Sequence, residues 1–241
     1  LILCVTVAGC GGRAAQPAAS EARGRPGAKA TWTNGNKQGV GTAASLTSKV
    51  WFTLGDGVVT EIYYPAVDRA NVRMLEFVVT GPGGLFERES VDTTHRVEVL
   101  HPDALVFRQI NTSRSNRYRI TRTVFTDPAR QVVLLQTRFE PLGGGVLSLW
   151  VYVDPAINNS GLKDAAIASP DALIAQEGGV AVAVAGSRPF GETTAGFVGT
   201  SDGLGDLRRD GQLRRAFVQA ADGNVALLGR LADTESPVEV T

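Results

Sequence analysis

Cysteine is almost missing from this 241-residue chain: Cys4 and Cys10 are the only two, and both fall within the first ten residues. From Gly11 onward neither a disulfide nor a thiolate metal site can form, so packing and hydrogen bonding alone must hold whatever folds there. Histidine is as scarce, with only His95 and His101, and net charge is zero because 24 basic residues balance 24 acidic ones. Without a global field nothing steers the chain toward nucleic acid or an anionic membrane surface, which sets nucleic-acid binding aside. Helical periodicity is lacking too: no window of helical length spaces its apolar residues at i, i+3 and i+4 between caps. A P-loop, a serine-nucleophile motif and a GxGxxG after a strand are absent, and Gly81-Pro82-Gly83-Gly84 does not have dinucleotide-binding spacing.

What is present is a succession of short β-branched and aromatic runs, with 28 glycines and 11 prolines spread among them as punctuation. With 43% hydrophobic residues the chain can bury a sizeable core, and one large all-β domain accommodates this length. The clearest signal is Lys49 to Pro65, KVWFTLGDGVVTEIYYP, in which Gly55-Asp56-Gly57 joins two strand-like runs. Asp-Gly between such runs predicts a hairpin. Both of its faces carry bulk, so it is expected inside a sheet that is covered on both sides.

Further strands are predicted at 71–80, 85–89, 94–100, 105–111, 117–125, 132–139, 146–153, 172–177, 180–185, 196–200 and 224–231, with 238–241 as a strand cut at its start. The run Arg117 to Phe125 alternates Arg117, Arg119, Thr121 and Thr123 with Tyr118, Ile120, Arg122 and Val124, as in an antiparallel sheet with one wetted face. Residues 204–213 read as an exposed loop or short helical turn.

Residues 1–10, LILCVTVAGC, form an apolar run ending in small residues, as at the end of a secretory signal. Val7-Ala8-Gly9-Cys10 has a bacterial lipobox pattern, so Cys10 is the expected lipid attachment site and the protein is expected in the cell envelope, membrane-bound only through that anchor. Residues 11–27, poor in apolar periodicity, are expected to be a flexible spacer, and 28–241 the folded domain.

Ala28-Lys29-Ala30-Thr31-Trp32, SKVWFTL, TEIYYP, THRVEVL, TVFTDPAR, VYVDPAINNSG and GFVGTSDG occur in this order, and together they resemble the N-terminal domain of bacterial glucoamylases and glucodextranases of glycoside hydrolase family 15. The resemblance implies an antiparallel two-sheet supersandwich of the galactose mutarotase type, followed by an (α/α)6 catalytic barrel that residues 1–241 do not include; from the strand cut at 238–241 the sandwich domain itself is expected to be incomplete at its C-terminal end. It implies a parent enzyme that releases glucose from the non-reducing ends of α-glucans with inversion and needs no organic cofactor. The catalytic glutamates of the family belong to the barrel, and no catalytic residue is expected here. The expected partners are that barrel and an α-glucan.

Trp51, Glu61, Tyr63, Tyr64 and Arg73 are the candidate contact residues, either as an aromatic platform for sugar or as the face presented to the barrel. Trp32 is expected at the edge of the core. Asp56 and Asp202 precede glycine and are read as turn residues. Asp202, Asp206 and Asp210 lack the spacing of a calcium loop, and no metal is expected. A stand-alone polysaccharide-binding lipoprotein, or a mutarotase-like enzyme using His95 or His101, would be the competing assignments.

Overall fold

A computed structural model describes residues 20–241, together with the backbone of the strand Ile2–Val7. In chain order the strands are β1 (Ile2–Val7), β2 (Gly39–Thr42), β3 (Trp51–Gly55), β4 (Val58–Tyr63), β5 (Ala70–Gly81), β6 (Leu85–Arg88), β7 (Thr93–His101), β8 (Val106–Ser113), β9 (Tyr118–Thr126) and β10 (Val132–Pro141). They continue as β11 (Leu147–Pro155), β12 (Asp164–Ala168), β13 (Leu173–Glu177), β14 (Val180–Ala185), β15 (Thr193–Phe197), β16 (Gln219–Gly223), β17 (Val225–Thr234) and β18 (Val238–Val240). Among the described residues two short α-helices interrupt them, α1 (Glu89–Asp92) and α2 (Leu204–Asp210), along with two 3-10 turns at Pro102–Ala104 and Ile157–Asn159.

The strands form two antiparallel sheets. One runs β16-β12-β13-β14-β1-β10-β9-β8-β7, with β18 also on β10, and the other runs β15-β17-β11-β5-β4-β3-β2, with β6 on β5. Their facing sides enclose one continuous apolar core that includes Phe52, Phe77, Ile120, Phe139, Leu149 and Phe197. The all-β supersandwich is therefore correct. Alternation explains it: along β11, Leu149, Val151 and Val153 enter this core, while Trp150 and Tyr152 join a second cluster on the far side of the sheet.

The predicted hairpin is β3–β4, closed by the two residues Asp56 and Gly57 with φ of 51° and 76°. Both angles are left-handed, as the turn that matches strand twist requires. Four strands escaped the sequence reading: β1, whose residues read as the end of a secretory signal but whose backbone pairs with β10 and β14, and β2, β12 and β16, because glycine and alanine carry little strand signal of their own. At Gly41 smallness has a cause: a Cβ there would lie 2.2 Å from the Phe52 ring. The strand expected at 196–200 lies earlier, at Thr193–Phe197, and the stretch 204–213 contains α2, which buries Leu207 against the outer cluster.

The fold also reaches further toward the N-terminus than residue 28. Ala22 is 9% exposed, its N–H donates to the Gln219 carbonyl at 2.8 Å, and Glu21 bridges Gln219 in parallel. Residues 20–27 are thus attached to the sandwich, because β16 offers their backbone the partners a spacer would find in water. Cys10 and spacer residues 11–19 lie outside the described residues. Among the described residues, no helix is long and apolar enough to cross a membrane.

The strand expected at 85–89 stops at Arg88, since Glu89 turns inward to begin α1. Its carboxylate accepts from the Phe77 N–H at 2.8 Å, from Asn111 Nδ2 at 2.6 Å and from Arg122 Nη2 at 2.5 Å. Arg122 and Glu89 are both fully buried. Arg122 also donates to the Gly57 carbonyl at 2.9 Å, and its guanidinium lies 4.9 Å from the centre of the Phe77 ring. Burial raises the Glu89 carboxyl above its ordinary range, against the opposing pull of Arg122. Arg122→Met alone is expected to cost roughly 3–5 kcal/mol of unfolding free energy, and adding Glu89→Met to recover part of it, because the larger penalty is an unpaired buried charge. Urea midpoints of the two variants check this.

Candidate functional site on the outer face of the eight-stranded sheet

The far side of the sheet containing β5 and β11 is neither plainly wet nor plainly dry. At one end α2 and the loop before it cover Trp150, Tyr152 and Leu228. At the other end the segment around Trp32 to Lys37 leans over β3 and β4. A band of charged side chains runs between them.

Glu61 anchors the first part of the band. It takes a hydrogen bond from Thr33, a second from Thr53 Oγ1 at 2.9 Å, and an ion pair from Lys37 at 2.6 Å. Burial would raise its carboxyl, but Lys37 and the two hydroxyls outweigh that and hold it below the usual carboxylate range. Glu61 is therefore a fastener for the incoming segment. Trp51 pairs with Tyr63 across β3 and β4, and both are half-buried. Burial raises the Tyr63 hydroxyl, as does the charge of Glu61. Tyr64 turns the other way, onto the inner core. The five candidates do not make one platform: Trp51, Glu61 and Tyr63 stay together, Tyr64 leaves, and Arg73 belongs to a second group.

Arg73 on β5 faces Asp154 on β11, with Nη1 3.3 Å from Oδ2. Asp154 is 2% exposed, and neither its Oδ1 nor Arg73 Nη1 has a hydrogen-bond partner. Burial pushes the Asp154 carboxyl up to about 7, with Arg73 opposing and the charges of Asp202 and Glu76 adding to the rise. Beyond it, Glu76 is bound by Arg88 and by Ser90 Oγ at 2.6 Å. Asp202 accepts from Tyr152 Oη at 3.3 Å and from the Gly199 N–H at 2.7 Å.

Two cavities meet at the Arg73–Asp154 pair. One, of about 160 Å³, lies between Trp32, Ala156 and Leu162; the other, of about 340 Å³, lies between Arg88, Thr200 and Arg208. Trp32, expected at the core edge, is instead 47% exposed. The sequence reading overlooked Asp154, though a signal existed: it follows Trp150 and Tyr152 at two-residue spacing, so β11 had to deliver it to their face.

The other marked residues have local duties. Asp56 accepts from Asn34 at 2.5 Å in the hairpin turn. Asp206 pairs with Arg209 at 2.7 Å and Asp210 with Arg214 at 2.8 Å, so these aspartates do not converge with Asp202 on a common point. His95 packs beside Gly57, and His101 is exposed where β7 ends.

A two-sheet antiparallel supersandwich with a charged band on its outer face is the architecture of an N-terminal domain of a glycoside hydrolase. A crystal structure of a bacterial glucoamylase complexed with acarbose superposes with a TM-score of 0.86 at 30% identity, over 92% of this chain and 34% of that one. A glucoamylase from Clostridium sp. (strain G0005) is 33% identical over 206 residues, which cover 83% of this chain and 29% of the relative. The chain thus spans about a third of the length of these proteins. Residues 22–241 match the family described as glucodextranase, domain N, and the chain belongs to that family.

A buried acid with a raised pKa has a definite signature. Asp154 binds its proton more tightly in the folded chain than in the unfolded one, where 3.8 applies, so its contribution to stability is complete below that value and is lost as pH rises through about 7. Asp164, pushed up to about 8 by burial and by Glu177, against the Ile157 N–H, acts in the same direction. Urea unfolding is expected to show greater stability near about pH 5 than near about pH 8.5, and Asp154→Asn to flatten the difference by about 3 kcal/mol, since about two pH units separate 5 from the Asp154 value at roughly 1.4 kcal/mol each.

Proposed function

We propose that this chain is the non-catalytic N-terminal domain of an exported, glucoamylase-type hydrolase that releases glucose from the non-reducing ends of α-glucans with inversion. The observation that carries the proposal is the match of 92% of this chain to 34% of a glucoamylase complexed with acarbose. Inversion requires a protonated carboxyl and a carboxylate spaced so that a water fits between them. Glu61, Glu76 and Asp202 on the outer face are instead engaged by ion pairs, hydroxyls and backbone donors, which supports placing the chemistry in a catalytic barrel that follows this domain. The half-buried Trp51–Tyr63 pair suits the face turned toward that barrel, since apolar rings with a polar rim are typical of such contacts. Val7-Ala8-Gly9-Cys10 supports export with a lipid on Cys10.

The full-length protein is expected to release glucose from soluble starch or dextran as the β-anomer, read by NMR within the first turnovers, while residues 20–241 alone release none. Glucose from the domain alone, or none from the full-length protein, would overturn the assignment.

A further inference from the structure

The groove formed where the two cavities meet has every element of a sugar subsite except the sugar. Its floor holds a buried acceptor without a partner, Asp154 Oδ1, beside Arg73, whose Nη1 makes no hydrogen bond and is engaged only by the ion pair to Asp154 Oδ2 at 3.3 Å. Such an orphan is rare in folded proteins and calls for an explanation. The pair stands at the junction of a cavity of about 160 Å³, walled by the indole of Trp32, and one of about 340 Å³. The indole is 47% exposed, although its surroundings include Ala30, Ala156 and Leu162.

The three groups ask for a ligand with an apolar face for the ring, a hydroxyl that donates to a carboxylate, and an oxygen that accepts from a guanidinium. A pyranose has all three: axial C–H groups on one face and vicinal hydroxyls at its edge. A phosphate or carboxylate ligand would satisfy Arg73 but would meet Asp154 as a like charge. An aliphatic ligand would satisfy the indole and leave Asp154 Oδ1 without a partner.

We infer that the Trp32–Arg73–Asp154 groove binds one end of a neutral α-linked oligosaccharide, with one glucosyl unit against Trp32 and the next reaching toward Arg88 and Thr200. The glucosyl identity rests on the function proposed above; the requirement for a neutral polyol does not. Arg73 thus moves from the barrel-facing set to the groove. Because Asp154 and Arg73 are carried on adjacent strands of one sheet, the groove is preformed and no segment has to close over the ligand to align them.

The test is calorimetric titration of the full-length protein with a maltotriose whose glycosidic oxygens are replaced by sulfur, which a glycoside hydrolase does not cleave during the experiment. Trp32→Ala and Arg73→Met are each expected to bind one equivalent fewer than the parent protein. Trp32→Phe, which keeps an aromatic wall, is expected to retain that equivalent with about tenfold weaker affinity. Equal stoichiometry in the parent, Trp32→Ala and Arg73→Met would overturn the inference, as it would if the groove were covered by the rest of the enzyme. Should Trp32→Ala fail to fold, the Arg73→Met and Trp32→Phe titrations decide it. Glucose release from starch by a protein with equal stoichiometries would sink the groove and leave the proposed function standing. Failure to release glucose, with the equivalent lost as expected, would do the reverse.

Discussion

The fold turns on one guanidinium. Arg122 sits on the inward face of β9, where its neighbours at two-residue spacing are Ile120 and Val124, and it is fully buried. A charge there is tolerated only if it is paired, and pairing it recruits two separate pieces of chain. Glu89 has to turn in from the start of α1 and the Gly57 carbonyl has to come from the tip of the β3–β4 hairpin, while Asn111 on β8 donates to both of these acceptors. The Phe77 N–H joins through Glu89. With the Gln109 amide of β8 donating to the Val58 carbonyl of β4 nearby, these directional contacts add a register to what is otherwise apolar packing between the sheets.

This explains why the sequence was legible where it was. The β3–β4 hairpin could be read from Gly55-Asp56-Gly57, because turn stereochemistry is local. Most long strands could be read from runs of β-branched and aromatic residues, and β9 from its alternation. Arg122 even appeared on the mostly apolar face, although its partners could not be named from the sequence: Glu89 and Gly57 are distant along the chain. Of the strands that went unread, β1 carries an apolar run that also fits a secretory signal, while β2, β12 and β16 are built of glycine, alanine and small polar residues, and are strands because a neighbour offers them a ladder.

The outer face was legible only in part for the same reason. Trp51, Glu61 and Tyr63 stand close in sequence and were recognised together, whereas Tyr64 is separated from them by the strand's own period. Arg73 and Asp154 meet because β5 and β11 are paired, a fact of topology that no local pattern contains. Trp32 lies in a segment with no strand signal, and its place beside that pair follows from the way Thr33 and Lys37 fasten the segment to Glu61.

The groove's architecture separates two kinds of wall. Its floor, from β5 and β11, is shared with the core and changes only at the expense of the sandwich. Its sides, the stretch around Trp32 and the loop leading into α2, touch the sheet from outside and contribute nothing to the packing between layers. A lineage of such domains can therefore exchange the sides, altering what is recognised, while the scaffold beneath stays the same.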